Sequence, residues 1–320
     1  MPSPHLLTLH NLPADEIRAI LREAIAFRAL AASGSLAPRL AGRTVGTLFF
    51  ENSTRTRTSF SIAALRLGAE VIDLPVAGSS HAKGETLTDT ARTVEALGVD
   101  ALVVRASQSG AVEMIARRVG CAVLNAGDGR HEHPTQGLLD ALTLADAMGR
   151  AETLDLSGLH VAIVGDVVSS RVARSNVFGL TALGATVTLV GPPALAPPSL
   201  GALAQRVRVE HDFDAVLPHA DTVMMLRVQF ERHGDAMRMA SPAFASLREF
   251  RAACGLSSER AQRMKPGAVV MHPGPVNRGL ELDGEVADSD RSLILKQVAN
   301  GVPVRMASLV RCLDGLPVHS

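Results

Sequence analysis

The stretch Arg43-Thr-Val-Gly-Thr-Leu-Phe-Phe50, followed closely by Ser53-Thr-Arg-Thr-Arg57, decides how this chain folds. The first segment is short, apolar and rich in β-forming residues, so it predicts a buried strand. From Thr56 to Leu67, apolar residues recur at helical spacing, which predicts a helix. The chain therefore turns from a strand into a helix at Ser53–Arg57.

This turn is suited to binding an oxyanion. The free N–H groups and the positive dipole end of a helix N-terminus favour an anion before any side chain contributes. Two guanidiniums and three hydroxyls then add charge and donors that match a phosphate. The alternative is a solvated first turn in which Ser53 or Thr54 only caps the helix. Five such residues together favour phosphate binding.

Strand-like and helix-like runs alternate outward from this turn, which is typical of parallel sheets covered by helices. Predicted strands in the first part of the chain are 45–50, 70–74, 101–104 and 122–124, and those in the second part are 159–164, 186–190, 207–210, 222–226 and 268–271. We expect an α/β protein with two doubly wound parallel-sheet lobes and an active site in the cleft between them.

A polar stretch at Gly149–Gly158 interrupts the alternation and marks the boundary between the lobes. The segment 291–313 is amphipathic and predicts a helix that returns to the first lobe. We therefore assign residues 1–149, completed by 291–320, to the first domain and residues 150–290 to the second.

Composition narrows the range of partners. The 320 residues carry 32 Lys and Arg against 32 Asp and Glu, so no electrostatic feature favours nucleic acid or a membrane surface. The sequence contains no signal-peptide pattern and no apolar run long enough to span a membrane, so we expect a cytoplasmic protein that acts on small molecules. The three cysteines are widely spaced and predict reduced packing residues.

Further candidate residues follow the predicted strands of the first lobe. Arg105 comes directly after a strand, where open α/β sheets place their ligands. His133 precedes Pro134 at a helix start, which favours a neutral imidazole able to donate a hydrogen bond to a carbonyl, and Gln136 lies one turn further on. Lys83, in a polar glycine-containing loop, would by itself be interpreted as a solvated side chain.

A metal site is the alternative for the segment Asp128–His133, with His131 and His133 joined by Glu132 or Asp128 as ligands. The spacing of these residues gives it little support, because no cysteine or third histidine lies nearby in the sequence.

In the second lobe, Gly165 follows a strand and opens a turn into a helix. Val167 and Ser170 occupy the positions where a dinucleotide-binding loop needs glycine, so that interpretation fails and Arg171 is the remaining candidate. Arg227 and Gln229 follow the next strand and alternate onto one side. Two arginines at neighbouring strand ends suit a dicarboxylate. The segment His272-Pro-Gly-Pro275 exposes carbonyls that can accept from an amide, although taken alone this segment favours a plain turn.

Taken in order, the motifs S-T-R-T-R, K-G-E-T, H-P-T-Q, R-V-Q and H-P-G-P resemble the aspartate/ornithine carbamoyltransferase family over nearly the whole chain. The resemblance is to its aspartate branch, because Leu226-Arg-Val-Gln229 replaces the S-M-G motif of the ornithine branch and Pro273 replaces its cysteine. It implies transfer of the carbamoyl group of carbamoyl phosphate to the α-amine of L-aspartate, giving N-carbamoyl-L-aspartate and phosphate in de novo pyrimidine biosynthesis.

The resemblance also implies roles for the candidate residues. Carbamoyl phosphate would be bound by Ser53, Thr54, Arg55, Thr56, Arg105, His133, Gln136 and the carbonyls of Gly274 and Pro275. L-Aspartate would be bound by Lys83, Arg171, Arg227 and Gln229. The residues expected to be catalytic are Arg55, Thr56, Lys83, Arg105, His133 and Gln136. No metal or cofactor is implied.

An implied homotrimer or dimer of trimers shares each active site between neighbouring subunits through the loop that carries Ser79 and Lys83. The form H-P-G-P-V-N-R-G is similar to members that associate with dihydroorotase or a dihydroorotase-like partner, and a regulatory subunit is a further expectation. We also expect Glu51 to pair with Arg171 or Arg232 when the lobes close. Two other functions stay open: a carbamoyltransferase for another amino acid, and a non-enzymatic scaffold or phosphate-ligand sensor.

Overall fold

A computed structural model describes residues 4–74, 85–228, 246–314 and 316. The chain divides into two compact units. Unit 1 comprises Met1–Leu139 and Ala299–Ser320, and unit 2 comprises Asp140–Val298. Unit 2 is thus one continuous segment, whereas unit 1 is assembled from two.

Unit 1 contains a parallel sheet in the strand order β2-β1-β3-β4. The strands are β1 (Thr44–Phe49), β2 (Glu70–Leu74), β3 (Ala101–Ala106) and β4 (Ala122–Asp128). The helices before and between them are α1 (Ala14–Ala32), α2 (Thr54–Arg66), α3 (Leu87–Ala96) and α4 (Ala111–Ala116). Helix α5 (Pro134–Ala147) begins in unit 1 and ends in unit 2.

The central strands of this sheet are apolar along their length because both faces are covered. On one face, Leu48, Leu102 and Val104 pack against Val94 of α3 and Ile115 of α4, and all five side chains are buried. Strand β2, at the edge, has no buried residue, and three of its five residues are exposed. The core therefore lies under β1, β3 and β4, and fixes where their carboxyl ends emerge.

Unit 2 contains a second parallel sheet, in the order β7-β6-β5-β8-β9. The strands are β5 (His160–Val164), β6 (Thr186–Val190), β7 (Val207–Glu210), β8 (Thr222–Met225) and β9 (Val269–Met271). The helices of this part of the chain are α6 (Arg171–Ala182), α7 (Phe213–Val216), α8 (Leu247–Cys254), α9 (Ser258–Gln262), α10 (Gly284–Ala287) and α11 (Ile294–Leu313), the last of which ends in unit 1. Short 3₁₀ helices span Pro198–Ala202 and Leu217–His219.

Each sheet reverses its strand order at one point. In unit 1 the reversal lies between β1 and β3, and in unit 2 it lies between β5 and β8. At such a switch point the connections leave in opposite directions, and open α/β sheets bind their ligands at the crevice this creates. The fold therefore marks one candidate position per unit.

The two-lobed parallel α/β fold predicted from the sequence is confirmed. The largest difference within a strand is in β4, which runs to Asp128 rather than ending at Leu124, because the polar Asn125 and Asp128 are buried and hydrogen-bonded within it. None of the helices in the described residues is both long enough and apolar enough to cross a membrane.

Candidate active site

The segment Ser53–Arg57, predicted from the sequence to bind phosphate, lies where β1 ends and α2 begins. Ser53 is the N-cap residue in an extended conformation, with φ −159°, yet its side chain makes no capping hydrogen bond. The capping alternative is therefore wrong for Ser53. Thr56 is buried, whereas Thr54 and Arg55 are exposed. The first turn of α2 thus presents hydroxyl groups beside N–H groups that have no intrahelical acceptor.

Arg105, at the end of β3, lies next to β1 at the switch point of the first sheet. Its backbone pairs with Phe49, and Phe50 N–H donates to its carbonyl oxygen at 2.9 Å. The guanidinium donates from Nη2 to Glu51 Oε1 at 2.5 Å and from Nη1 to the Ala126 carbonyl at 3.2 Å. These contacts hold the cation between the ends of three strands.

The loop after β4 is organised by the buried carboxylate of Asp128. This group accepts from Gly110 N–H and from Asn125 Nδ2, each at 2.8 Å, and lies 3.1 Å from His131 Nδ1. Burial alone would raise the pKa of Asp128, but hydrogen bonds from His131 and Asn125 hold it below its usual value. Gly129 follows with φ +47°, where an added Cβ would lie 2.5 Å from Ser109 N. The loop therefore has a fixed course.

Glu132 fixes the chain directly before His133 to the N-terminal segment at residues 8–10. Its carboxylate is fully buried and accepts from Leu9 N–H at 2.9 Å, from His10 N–H at 3.3 Å and from the Thr8 hydroxyl. The two acidic side chains of the metal alternative thus serve as acceptors for the protein's own groups. Within the ranges the structure describes, no cluster of three or more His, Cys, Asp or Glu is placed to hold a metal.

His133 and Gln136 stand at the N-terminus of α5, as predicted. The His133 carbonyl accepts from the N–H groups of Gln136 and Gly137 at 2.9 and 3.2 Å, so His133 occupies the start of the helix. Both side chains are buried, with 4% and 9% exposure. Unit 1 thus places Arg105 and the start of α2 at its switch point, with His133 following the adjacent strand β4.

In unit 2, the turn after β5 delivers Arg171. Gly165 has φ +123°, a backbone conformation that residues other than glycine rarely adopt, so this turn requires glycine. Ser170 caps α6 by accepting from Ala173 N–H at 3.1 Å. Arg171 is the first residue of that helix and is only 5% exposed.

Arg227 emerges from β8, the neighbour of β5. Leu226 N–H donates to the Val164 carbonyl at 2.9 Å, which extends the pairing of the two strands up to Arg227. Arg171 and Arg227 therefore both lie at the switch point of the second sheet. Gln229 lies outside the described residues.

The segment His272–Pro275 follows β9. Gly274 N–H donates to His272 Nδ1 at 2.8 Å, and the Gly274–Pro275 peptide bond is cis. His272 N–H donates to Gln297 Oε1 at 3.0 Å. The turn is therefore tied to α11, and Pro275 is exposed.

Sequence reasoning missed a buried polar network behind this turn. Asp140 is fully buried and accepts from Gln297 Nε2 and Asn176 Nδ2, each at 2.7 Å. The network connects His272–Pro275 to α6, which carries Arg171. Its one sequence signal is a carboxylate inside the otherwise apolar run Leu138–Leu142 of a predicted helix.

Besides Gln229, three residues named in the predictions lie outside the described ranges. Ser79 and Lys83 lie in the segment 75–84, and Arg232 lies in the segment 229–245. Within unit 1, the Glu51 carboxylate contacts Arg105, and its pairing with Arg171 or Arg232 stays a prediction.

Comparison with known proteins gives consistent results. Residues 4–146 match the family model described as the aspartate/ornithine carbamoyltransferase carbamoyl-P binding domain, and residues 157–312 match the Asp/Orn binding domain. The chain is 53% identical to the aspartate carbamoyltransferase catalytic subunit of Salinispora tropica over 97% of its length and 98% of the relative's.

Two solved structures of similar fold represent the aspartate and the ornithine branch of the family. Aspartate transcarbamoylase from Trypanosoma cruzi, in complex with carbamoyl phosphate and aspartate, matches with a TM-score of 0.84 and 31% identity over 96% of each chain. Ornithine carbamoyltransferase from Pyrococcus furiosus matches with a TM-score of 0.87 and 27% identity over 98% and 99% of the two chains. The backbone fold alone therefore does not distinguish an aspartate-using from an ornithine-using enzyme, and the side chains of the site have to be compared.

Proposed function

The chain belongs to the aspartate/ornithine carbamoyltransferase family, and we propose that it transfers the carbamoyl group of carbamoyl phosphate to the α-amine of L-aspartate. The products are N-carbamoyl-L-aspartate and phosphate, the former being a precursor in de novo pyrimidine biosynthesis. In this assignment, residues 1–149 with 291–320 form the carbamoyl phosphate-binding domain and residues 150–290 the aspartate-binding domain.

One observation carries the choice of aspartate: Arg171 and Arg227 both lie at the switch point of the second sheet. A guanidinium binds a carboxylate through two parallel hydrogen bonds, so two arginines suit a substrate with two carboxylates. Ornithine has one carboxylate and a second ammonium group, which two cations would repel. Gln229 and the neighbouring subunit's Lys83 complete the proposed aspartate contacts.

Carbamoyl phosphate is assigned to the residues of unit 1 together with two carbonyls of unit 2. Its phosphate would be bound by Ser53, Thr54, Arg55 and Thr56 at the start of α2, where anions are favoured. The carbonyls of Gly274 and Pro275 would accept hydrogen bonds from the carbamoyl NH₂ group, and together with Gln136 they would orient it.

The reaction begins when the α-amine of aspartate attacks the carbamoyl carbon and forms a C–N bond. The carbonyl oxygen becomes an oxyanion, which Arg105, His133 and Thr56 stabilise. Breaking the C–O bond to phosphate then restores the carbonyl. The departing phosphate is the proposed acceptor of the amine proton, so the rate gain comes mainly from positioning and fixed electrostatics.

The test is product formation by the purified chain from carbamoyl phosphate with L-aspartate or with L-ornithine. We expect carbamoyl-aspartate only. Arg227→Ala should lower kcat/KM for aspartate by about 10²-fold or more, since it removes a bidentate charged contact that orients the nucleophile. Arg263→Ala, a change at an exposed arginine that pairs with Asp214 in the same unit, is the matched control and should leave the kinetics unchanged.

The competing functions give different results. A carbamoyltransferase for another amino acid would turn over that substrate normally with Arg227→Ala. A scaffold or phosphate-ligand sensor would bind carbamoyl phosphate but form no product with either amine.

The proposed assembly is a homotrimer or a dimer of trimers, with sites completed by Lys83 of a neighbour. A dihydroorotase-like or regulatory partner stays a prediction, supported by the H-P-G-P-V-N-R-G segment. The cytoplasmic location likewise stays a prediction from the sequence.

A further inference from the structure

Glu281 is a buried carboxylate, and burying a charged group costs free energy. Its side chain is fully buried in unit 2, and it accepts three hydrogen bonds. Val228 N–H donates to Oε1 and Asn277 N–H to Oε2, both at 2.8 Å, while Asn277 Nδ2 donates to Oε1 at 2.6 Å. His272 Nε2 lies 4.0 Å from Oε2.

The stability of the fold does not by itself explain why a glutamate occupies this buried position. Burial raises the pKa of Glu281 above its ordinary value, and the hydrogen bonds from Val228 and Asn277 offset only part of that effect. A buried carboxylate therefore costs free energy that an apolar side chain would not. What the carboxylate supplies instead is a fixed geometry for its three donors.

The donors belong to the two segments that the proposed reaction needs. Val228 directly follows Arg227, and Asn277 comes two residues after Pro275. The two segments leave neighbouring parallel strands, whose pairing ends at Met224 and Met271. Beyond that point, in the part of the two segments that the structure describes, no strand pairing joins them, and the Glu281 carboxylate bridges them.

Glu281 is itself firmly placed. Its carbonyl oxygen accepts from Leu256 N–H at 2.9 Å, and Asp283 N–H donates to the Leu256 carbonyl at 3.1 Å. Leu282, which follows it, is fully buried in the core of unit 2. The carboxylate is thus a reference point anchored to the core rather than a mobile surface group.

We propose that Glu281 is a positioning residue, which sets the spacing between Arg227 and the carbonyls of Gly274 and Pro275. This inference rests on the proposed function, since the spacing matters only if one segment binds aspartate and the other binds the carbamoyl NH₂ group. Glu281 touches neither substrate and acts through the backbone of Val228 and Asn277.

The experiment compares Glu281→Ala and Glu281→Gln with the wild-type protein. Alanine removes all three acceptor contacts, and we expect kcat/KM for aspartate to fall about 10- to 100-fold, as misplacement of a binding group predicts. Glutamine keeps one acceptor oxygen, enough for Val228 N–H and Asn277 Nδ2, but turns an NH₂ group toward Asn277 N–H. Its loss should therefore be smaller, with KM for aspartate raised and KM for carbamoyl phosphate changed less.

Glu285→Ala is the matched control, because Glu285 is an exposed carboxylate of the same segment and accepts from Ser258 Oγ at 2.7 Å. It should leave both KM values unchanged. Circular dichroism checks folding, and if the alanine variant does not fold, the glutamine variant decides. An aspartate KM unchanged in the folded variants, or equal losses for both substrates, would overturn the inference. Absence of any product from the wild-type chain would overturn the proposed function instead.

Discussion

Buried carboxylates at the two half-sites bind the protein's own donors. Asp128 and Glu132 hold the loop before His133, and Glu281 holds the backbone beside Arg227. Each accepts from at least one backbone N–H, so removing it would leave a buried donor unsatisfied as well as a cavity. Single residues thus fix the main chain on which the candidate binding groups are mounted.

These carboxylates show where sequence reasoning fails at the residue scale. The positions of Arg105 and Arg227 at strand ends were predictable, because a charge at the end of an apolar strand is a local pattern. The local sequence around Glu132 indicates only a metal-ligand role, since its acceptor role depends on Leu9, more than 120 positions away in the chain. Asp140 depends in the same way on Gln297. Long-range partners leave no signal in local spacing.

The cysteines give a prediction at the same scale. Burial raises the pKa of Cys121 and Cys254 to about 12, and that of Cys312 to about 11. At pH 8 about one thiol in a thousand or fewer is ionised, and the thiolate is the reactive form. We expect a disulfide reagent such as dithiobis-nitrobenzoate to label the native protein slowly and all three thiols rapidly in denaturant. Fast labelling of the native protein would contradict the buried, protonated state.

At the scale of elements, α2 differs from an ordinary capped helix. The sequence predicted its position, but local spacing does not tell a capping hydroxyl from one left for a ligand. In the structure the Ser53 side chain makes no capping hydrogen bond, whereas Ser246 caps α8 by accepting from Glu249 N–H at 3.1 Å.

Two matched substitutions test this difference. Ser53→Ala should change the free energy of unfolding by less than about 0.5 kcal/mol, yet weaken binding of inorganic phosphate. Ser246→Ala should cost about 1 kcal/mol and leave phosphate binding unchanged. Urea denaturation and calorimetric titration measure the two quantities. A large loss of stability in Ser53→Ala would restore the capping interpretation.

Helices α7 and α9 are joined by a charged contact that predicts a pH dependence. Asp214 accepts from Arg260 Nε at 3.0 Å and Nη2 at 2.8 Å, and from Arg263 Nη1 at 2.8 Å. The hydrogen bond from Arg260 is the main cause that holds the pKa of Asp214 below its ordinary value of 3.8. The resulting stability is present above that value and is lost as the pH falls through the lower folded-state pKa.

We therefore expect Asp214→Asn to lower the urea midpoint at pH 7, and the difference from wild type to shrink as the pH falls below about 4. Asp290→Asn, at an exposed carboxylate, serves as the control and should shift the midpoint little at either pH. A difference that stays constant over this range would show that Asp214 contributes by packing and not by charge.

On the scale of the whole molecule, the sequence predicted two parallel-sheet lobes, because alternation of strand and helix patterns is a local property repeated along the chain. It did not predict the strand orders, which place the switch points between β1 and β3 and between β5 and β8. Those orders depend on which strands pair. The nearly continuous apolar sequences of β3 and β8 do not indicate which strands lie beside them.

The proposed assembly yields a prediction at this scale. If sites are shared between subunits, each site contains His133 of one subunit and Lys83 of its neighbour. Lys83→Ala alone and His133→Ala alone should then each inactivate every site. Mixing the two variants under conditions that exchange subunits should restore about a quarter of the sites, because random trimers pair the two intact residues with that frequency. Activity of the mixture is measured against each variant alone. No recovery in verified mixed trimers would show that each site is built from one chain.

Unit 1 consists of two segments of the chain with unit 2 between them, which sets the order in which the two units are completed during synthesis on the ribosome. Arg305, in the second segment of that unit, donates to Ser59 Oγ at 3.0 Å and lies over the ring of Phe60, and both of these residues belong to α2. At typical rates of synthesis, the intervening segment occupies roughly 10–30 s. The unit begun first is therefore finished last, and α2 must wait for its final packing partner until unit 2 has already been synthesised.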